Sequence, residues 1–469
     1  MAIDYSDSDD GSRYRLSNWR TSATIPSVGR TLPSLATLPG FLRLAIAFAV
    51  IPLLVDGLVP QLEMAAFGGN IPIRINFYAF AGLLVLWGLI REKFYSSALS
   101  APALSLTLFL VVDAIYLIAN VGVSAGEILR ASLAAFAILL FASVALSLRI
   151  GISEKLIVRL ILLMLLANFV VQVMQFETNT PILSEQSKDQ NWRVDSDKYI
   201  DGTQRAFGLF SNGLDAGVFC AFTGALGAAY CRKRSRVPAG VAIMAISAFG
   251  CYATFTRVTL IALIAAWVSV FLLKPRFRKS PIRLLPLIWG GVAVLLLGIA
   301  VIYPSLGNGL DNSTSTLVRL HAWYVSFQRF SASSLSEKLL GSGTASGLHV
   351  RPGQDLTRYL PFSIDNLLIS QSLYFGLMAL IPSLFFIWKA WRFLLSRAIN
   401  DGSPFEIAAA GFGSTIFLLG MYNNGSSVWT SIVLISALCV RAPESARIPN
   451  TIPSYSLDSQ ISKVCPARE

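Results

Sequence analysis

Charge and metal-binding chemistry are scarce in this chain. Only 14% of its 469 residues are charged, and its two histidines, His321 and His349, fall in one polar stretch. The five cysteines (Cys220, Cys231, Cys251, Cys439 and Cys465) are odd in number and scattered, the first four in or beside apolar runs. That usage excludes a disulfide framework and a metal-ligand spacing among the cysteines. There is no P-loop, no G-x-S-x-G and no H-E-x-x-H, which removes a nucleotide-phosphate cradle, a hydrolase nucleophile elbow and a zinc-protease helix as readings. A cleavable signal peptide is not expected either: residues 1–40 are polar, and the first apolar run has no A-x-A-like exit.

What the chain has in abundance is hydrocarbon. Hydrophobic residues make up 54% of it, and its mean hydropathy of +0.61 is too high for a soluble protein. Apolar runs lie near 41–60, 71–90, 99–120, 127–148, 156–176, 207–230, 237–255, 258–273, 283–303, 363–388, 405–422 and 427–440. Runs of this length are membrane-spanning helices, so the expected fold is an all-α polytopic bundle of about 12 spans. The bundle occupies 41–440, flanked by tails at 1–40 and 441–469. These are polar and rich in Ser, and read as disordered. The lipid bilayer is the first partner this predicts.

The formal charge of +12 raises nucleic acid as a partner, but the distribution argues against it. The cations cluster in short links: "REK" at 91–93, "RKRSR" at 232–236, "KPRFRKSPIR" at 274–283, and Lys389, Arg392 and Arg397. The alternate links at 61–70, 120–126 and 421–426 contain no Lys or Arg. Positive links stay in the cytoplasm, which places both tails there and the alternate links outside. Two long links then face outward, 177–206 and 304–362, the second between spans 9 and 10. It is expected to be partly helical. Leu317, Leu320, Trp323 or Tyr324, Phe327 and Phe330 recur at helical spacing, as in an amphipathic helix at the outer interface.

Against that background a few polar residues stand out. "YATFTRVTLIALIAAW" puts Arg257 in a tight outer hairpin, the wrong sign for that side. It either snorkels to headgroup phosphates or faces a cavity and holds an anionic substrate. Arg205, in "QRAFGLFSNGLDAGVFCAF", repeats the choice between interfacial anchor and fixed cation, with Gly208, Gly213 and Gly217 allowing close approach. The long outer link adds Arg319 and His321, and Arg351 and Arg358 beside Asp355. Asp365 and Asn366 open the tenth span in "LPFSIDNLLISQSLYFGLMALI", where the carboxylate either caps the helix or acts as a general base or orienter for an acceptor hydroxyl. Asp113 sits inside the third span, where a hydrogen-bonded structural role is its ordinary explanation.

Three of these stretches together resemble the bacterial O-antigen ligase and polysaccharide polymerase membrane proteins. "RAFGLFSN", with Arg205 and Asn212, is similar to the family's arginine, glycine and aromatic pattern opening a span. "TFTRVTLIAL" is similar to its Thr/Ser-x-Ser/Thr-Arg motif. "DNLLISQSLYFG" closes the large outer loop, with Asn366 and Gly376 matching and Asp365 standing where ligases carry histidine. The likeness covers roughly residues 205–390.

It implies glycan transfer at the periplasmic face of the inner membrane, from a polyprenyl-diphosphate-linked oligosaccharide, with no cofactor and no metal. In those terms Arg205, Arg257 and Arg319 would hold the diphosphate. Asp365 or His321 would take the acceptor proton, with Asn212, Asn366 and Gly376 in support. A chain-length regulator and export machinery are the protein partners such a pathway allows. The missing histidine favours a polymerase of repeat units over a ligase acting on lipid A core or protein. A lipid-linked sugar flippase is the alternative from another class.

Overall fold

Hydroxyls, prolines and glycines set where each apolar helix begins and ends. The computed structural model of the protein describes residues 154–179, 199–200, 203–210, 213–273, 281–302, 323–324, 326–341, 366–399 and 402–420, with four positions between 112 and 119. The runs near 41–60, 71–90, 127–148 and 427–440, most of the run near 99–120, Asp113 and both tails lie outside the described residues.

Five helices follow the expected runs: α1 (Glu154–Thr178), α2 (Gly213–Cys231), α3 (Val237–Ala253), α4 (Arg257–Leu272) and α5 (Leu285–Ile302). A two-residue antiparallel pair, β1 (Tyr199–Ile200) with β2 (Thr203–Gln204), precedes α2. Then come α6 (Leu335–Leu340), α7 (Leu367–Ile399), α8 (Pro404–Gly413) and α9 (Ile416–Gly420). Four stretches are long and apolar enough to cross a membrane: Ile157–Thr178, Gly213–Cys231, Arg234–Ala253 and Phe375–Ile399. The protein is therefore a helical membrane protein.

Local chemistry explains the boundaries. A proline in the first turn opens α3, where its missing N–H costs nothing. Ser403 and Glu406 form a reciprocal capping box before Pro404 and start α8, and Ser334 with Glu337 does the same for α6. The run near 405–422 is two helices rather than one. At the break the Ser414 hydroxyl donates to the Gly411 carbonyl and that of Thr415 to the Phe412 carbonyl. Such back-bonding bends helices.

The run near 363–388 also differs from expectation. Gly376 takes φ 72° and ψ 179° inside α7, so a short segment, 367–375, meets the span-length segment at a sharp break. Leu368 lines the same cleft as Leu384 and Ile387. A straight helix would set Leu368 and Leu384 about 24 Å apart, so the short segment folds back toward the long one.

α2 is the central helix: 83% of its apolar window is buried, and it packs on α3, α4 and α8. Its buried face alternates small residues with Phe219 and Phe222, and Phe222 meets Phe405 and Phe412 edge-on at 5.9 and 5.6 Å. Small residues let helix backbones approach closely where lipid offers no hydrophobic drive to associate.

The first four helices share two ends. One gathers the C-termini of α1 and α3 and the N-termini of α2 and α4: Ala206 N–H donates to the Ala253 carbonyl at 2.9 Å, and Gly217 lies under Thr259. At the other end Glu154 is close enough to influence Tyr230, and the link between α2 and α3 carries Arg232, Lys233, Arg234 and Arg236. Arg236 snorkels over the Tyr230 ring at 5.4 Å.

Candidate functional site

At the end opposite the basic link, one helix spends three amides inside apolar surroundings. Asn168, Gln172 and Gln175 are buried and stand at i, i+4 and i+7, on one stripe of α1. Each is used on the loop 206–209. Gln172 Nε2–H donates to the Ala206 carbonyl at 3.1 Å and to the Gly250 carbonyl at 3.3 Å. Gly208 N–H donates to Gln175 Oε1 at 2.7 Å, and Leu209 N–H to Asn168 Oδ1 at 2.9 Å. Left unpaired, each such group would cost about 1–3 kcal/mol or more in this setting.

The loop needs that support because it cannot be helix. The run near 207–230 was expected to start at 207, but α2 begins at Gly213. Gly208 sits at φ 63°, and a Cβ there would overlap the Asn168 carboxamide. The left-handed turn lets the loop lie flat on α1 and carries Arg205, half-buried, to the C-terminus of α3.

The hairpin from α3 to α4 lies on the other side of the same hydrogen bond. Phe255 takes φ 50°, a conformation that costs a residue with Cβ about 1–2 kcal/mol. Aromatic contacts hold it: its ring stacks on Phe176 at 6.3 Å and meets Tyr252 at 5.9 Å. Thr254 donates to the Cys251 carbonyl and Thr259 to the Thr256 carbonyl, which closes both helix ends. Thr256 stands at the N-cap of α4 without capping it, since its hydroxyl donates to the Thr254 carbonyl at 3.2 Å.

Arg257 is the first residue of α4 and is exposed. A cation there opposes the helix dipole by about 0.3–1 kcal/mol, so an uncapped N-terminus bearing Arg257 presents positive charge with no internal partner from the cap. Asp215, in the first turn of α2, is buried at the same end.

The sequence-expected site residues divide accordingly. The Ala206–Ala253 bond brings Arg205 and Arg257 to one end of the bundle. Asn366 and Gly376 belong to α7, whose main described contacts are with α6 and α8. Asn366 is buried and caps α7: its Oδ1 accepts from Leu368 N–H at 3.0 Å and Ile369 N–H at 3.1 Å. The sequence offered the cap to the Asp365 carboxylate; among the described residues it is Asn366 that caps. Gly376 receives the end of α6, because a Cβ there would overlap the Leu339 carbonyl and the Gly341 amide. His321, Arg319, Asp365 and Asn212 lie outside the described residues.

The stretch expected as an amphipathic helix is helical at 323–324 and 326–332. Trp323 and Phe330 pack with Ile369 on Leu373, whereas Phe327, expected on the same face, is 68% exposed. A cleft of about 270 Å³ lies away from the arginines, among Leu287, Gly291, Leu368, Leu384 and Phe417, and is apolar. Among the described residues no cluster of His, Cys, Asp and Glu could hold a metal ion.

The chain matches no protein-family model and no curated protein. The geometry alone therefore carries the chemistry. Arg205 and Arg257 lie at one end of the bundle, the end that also holds the N-termini of α2 and α4.

Proposed function

We propose that the protein is a membrane glycosyltransferase that polymerises polyprenyl-diphosphate-linked oligosaccharide repeat units into an exopolysaccharide or O-antigen. The reaction takes place at the periplasmic face of the bacterial inner membrane. The observation that carries this reading is the Ala206–Ala253 backbone bond, which sets Arg205 and Arg257 at one end, away from the basic α2–α3 link. By the distribution of cations that link is cytoplasmic and the arginine end periplasmic. Arginines kept on the side that usually lacks them suit an anionic ligand at headgroup depth, and a lipid diphosphate is one.

In the proposed reaction an acceptor hydroxyl oxygen attacks the anomeric carbon of the donor. The bond from that carbon to the diphosphate oxygen breaks, and its electron pair leaves with the diphosphate. The hydroxyl proton passes to a general base, for which Asp365 and His321 remain the candidates. Negative charge grows on the leaving diphosphate as the bond breaks. Guanidinium groups fixed beside it stabilise the transition state more than the ground state, and their planar fork matches two phosphate oxygens. No metal and no cofactor enters this scheme.

The test is the glycan made in cells carrying Arg257→Ala. The protein should remain in the membrane while long polymer disappears and single lipid-linked units accumulate, a loss of roughly 10²-fold or more in transfer. Arg257→Lys should also be impaired, since an ammonium lacks the fork. Normal chain length in either variant would refute the reading. Finished polymer left on its lipid carrier would instead point to the ligase reaction, and donor turnover by purified protein in detergent would separate an enzyme from a flippase.

A further inference from the structure

The amide stripe of α1 is a larger commitment than one loop needs for folding alone. A span that crosses apolar surroundings gains nothing from Asn168, Gln172 and Gln175 unless their partners must stay in place, since polar groups there are costly. Their hydrogen bonds also have a direction. Gln172 is read as a donor, because both its partners are carbonyls, at Ala206 and Gly250. Gln175 Oε1 accepts from Gly208 N–H and Asn168 Oδ1 from Leu209 N–H, while Asn168 Nδ2–H donates to Cys220 Sγ at 3.9 Å. Gln172 is the joint of the assembly: one side-chain amide ties the Arg205 loop and the last turn of α3, which leads directly into the hairpin of Arg257.

We infer that Asn168, Gln172 and Gln175 are positioning residues that lock the Arg205 loop to the Arg257 hairpin, so that the two guanidinium groups act as one preformed grip for a lipid diphosphate. This rests on the function proposed above. The loop backbone bonds to α3 at Ala206 and to α1 at Ala206, Gly208 and Leu209, so its freedom to swing is removed before substrate arrives. Preorganisation of this kind raises affinity by sparing the ordering cost on binding.

The test uses the full-length protein in detergent and two readouts. The first, amide hydrogen exchange over 205–210, needs no ligand. The second is the affinity for farnesyl diphosphate, a soluble prenyl diphosphate. Gln172→Met and Asn168→Leu should speed exchange across 205–210 and weaken farnesyl diphosphate by about five- to tenfold, the scale of one lost hydrogen bond.

Gln175→Met, which removes the acceptor for Gly208 N–H, should likewise lose both properties. In an Arg205→Ala background Gln172→Met should add little further loss, because the stripe works through that arginine. Faster exchange with unchanged affinity would overturn the positioning role and leave the diphosphate reading standing. Unchanged exchange would overturn the locking itself. A wild-type protein that does not bind farnesyl diphosphate, or binds it equally with Arg205→Ala, would remove the diphosphate reading and the positioning role with it. If the Arg205→Ala and Gln172→Met losses simply added, the positioning role alone would fall, since a structural defect acts independently of the arginine.

Discussion

Two places in this bundle break an apolar segment with a glycine at positive φ, and they handle the freed backbone in different ways. At Gly208 the loop is held by side chains: three amides on α1 accept or donate every described hydrogen bond at Ala206 O, Gly208 N and Leu209 N. At Gly376 the neighbour is backbone, because the end of α6 is pressed onto the break where a Cβ would stand. The first arrangement is directional and fixes one geometry. The second brings the α6 backbone into close contact with the break and gives α7 a joint against which the loop helix α6 rests. The first also lies at the arginine end, as expected if orientation matters most where charge must meet charge.

Substitution at the two glycines should expose the difference most strongly. Gly376→Val combines a backbone conformation reserved for glycine with overlap onto Leu339 and Gly341, so a loss of about 3–5 kcal/mol is expected. Thermal unfolding in detergent, followed by the retained monodisperse fraction, measures it. Gly208→Ala should lose less, about 2–3 kcal/mol. It carries the left-handed cost of a Cβ and displaces the Asn168 carboxamide from Leu209 N–H. If Gly208→Ala proved the more damaging, the contrast between packing and directional bonding would be reversed.

Much of this architecture was legible in the residues. The α1, α3, α4 and α5 boundaries fall within a few positions of their apolar runs, because Pro238 and the polar "TFTR" hairpin punctuate the sequence. Two features were not, for one shared reason. "RAFGLF" and "LYFGLM" are as apolar as their surroundings, so neither the late start of α2 nor the break at Gly376 leaves a gap in hydropathy. What decides both is tertiary: an amide stripe on another helix in one case, the end of a loop helix in the other.

The stripe itself had a signal, since Asn168, Gln172 and Gln175 recur at helical spacing within an otherwise apolar span. Spacing marks a shared face but does not say what covers it. The outer-loop helix shows the converse. Its aromatic period was real, yet Trp323 and Phe330 turn to α7 while Tyr324 and Phe327 stay exposed.

Smaller changes sharpen the comparison. Asn366→Ala removes the cap of the short α7 segment and should cost about 1 kcal/mol, whereas Asn366→Asp should be close to neutral because a carboxylate also accepts from the first-turn N–H groups. The same unfolding assay distinguishes them. Phe255→Asn should change stability by no more than about 0.5 kcal/mol. Relief of the φ 50° conformation offsets lost stacking on Phe176. A large loss there would mean that the aromatic cluster, rather than the amide stripe, holds the hairpin.

The central claim is that Arg205 and Arg257 hold one anion together, and the most direct test is titration of farnesyl diphosphate against the two single variants and the double. Each of Arg205→Ala and Arg257→Ala should weaken binding by about tenfold, and the double variant should depart from the product of the two, as contacts to a shared ligand do. Wild-type affinity in either single variant, or strict additivity in the double, would contradict it.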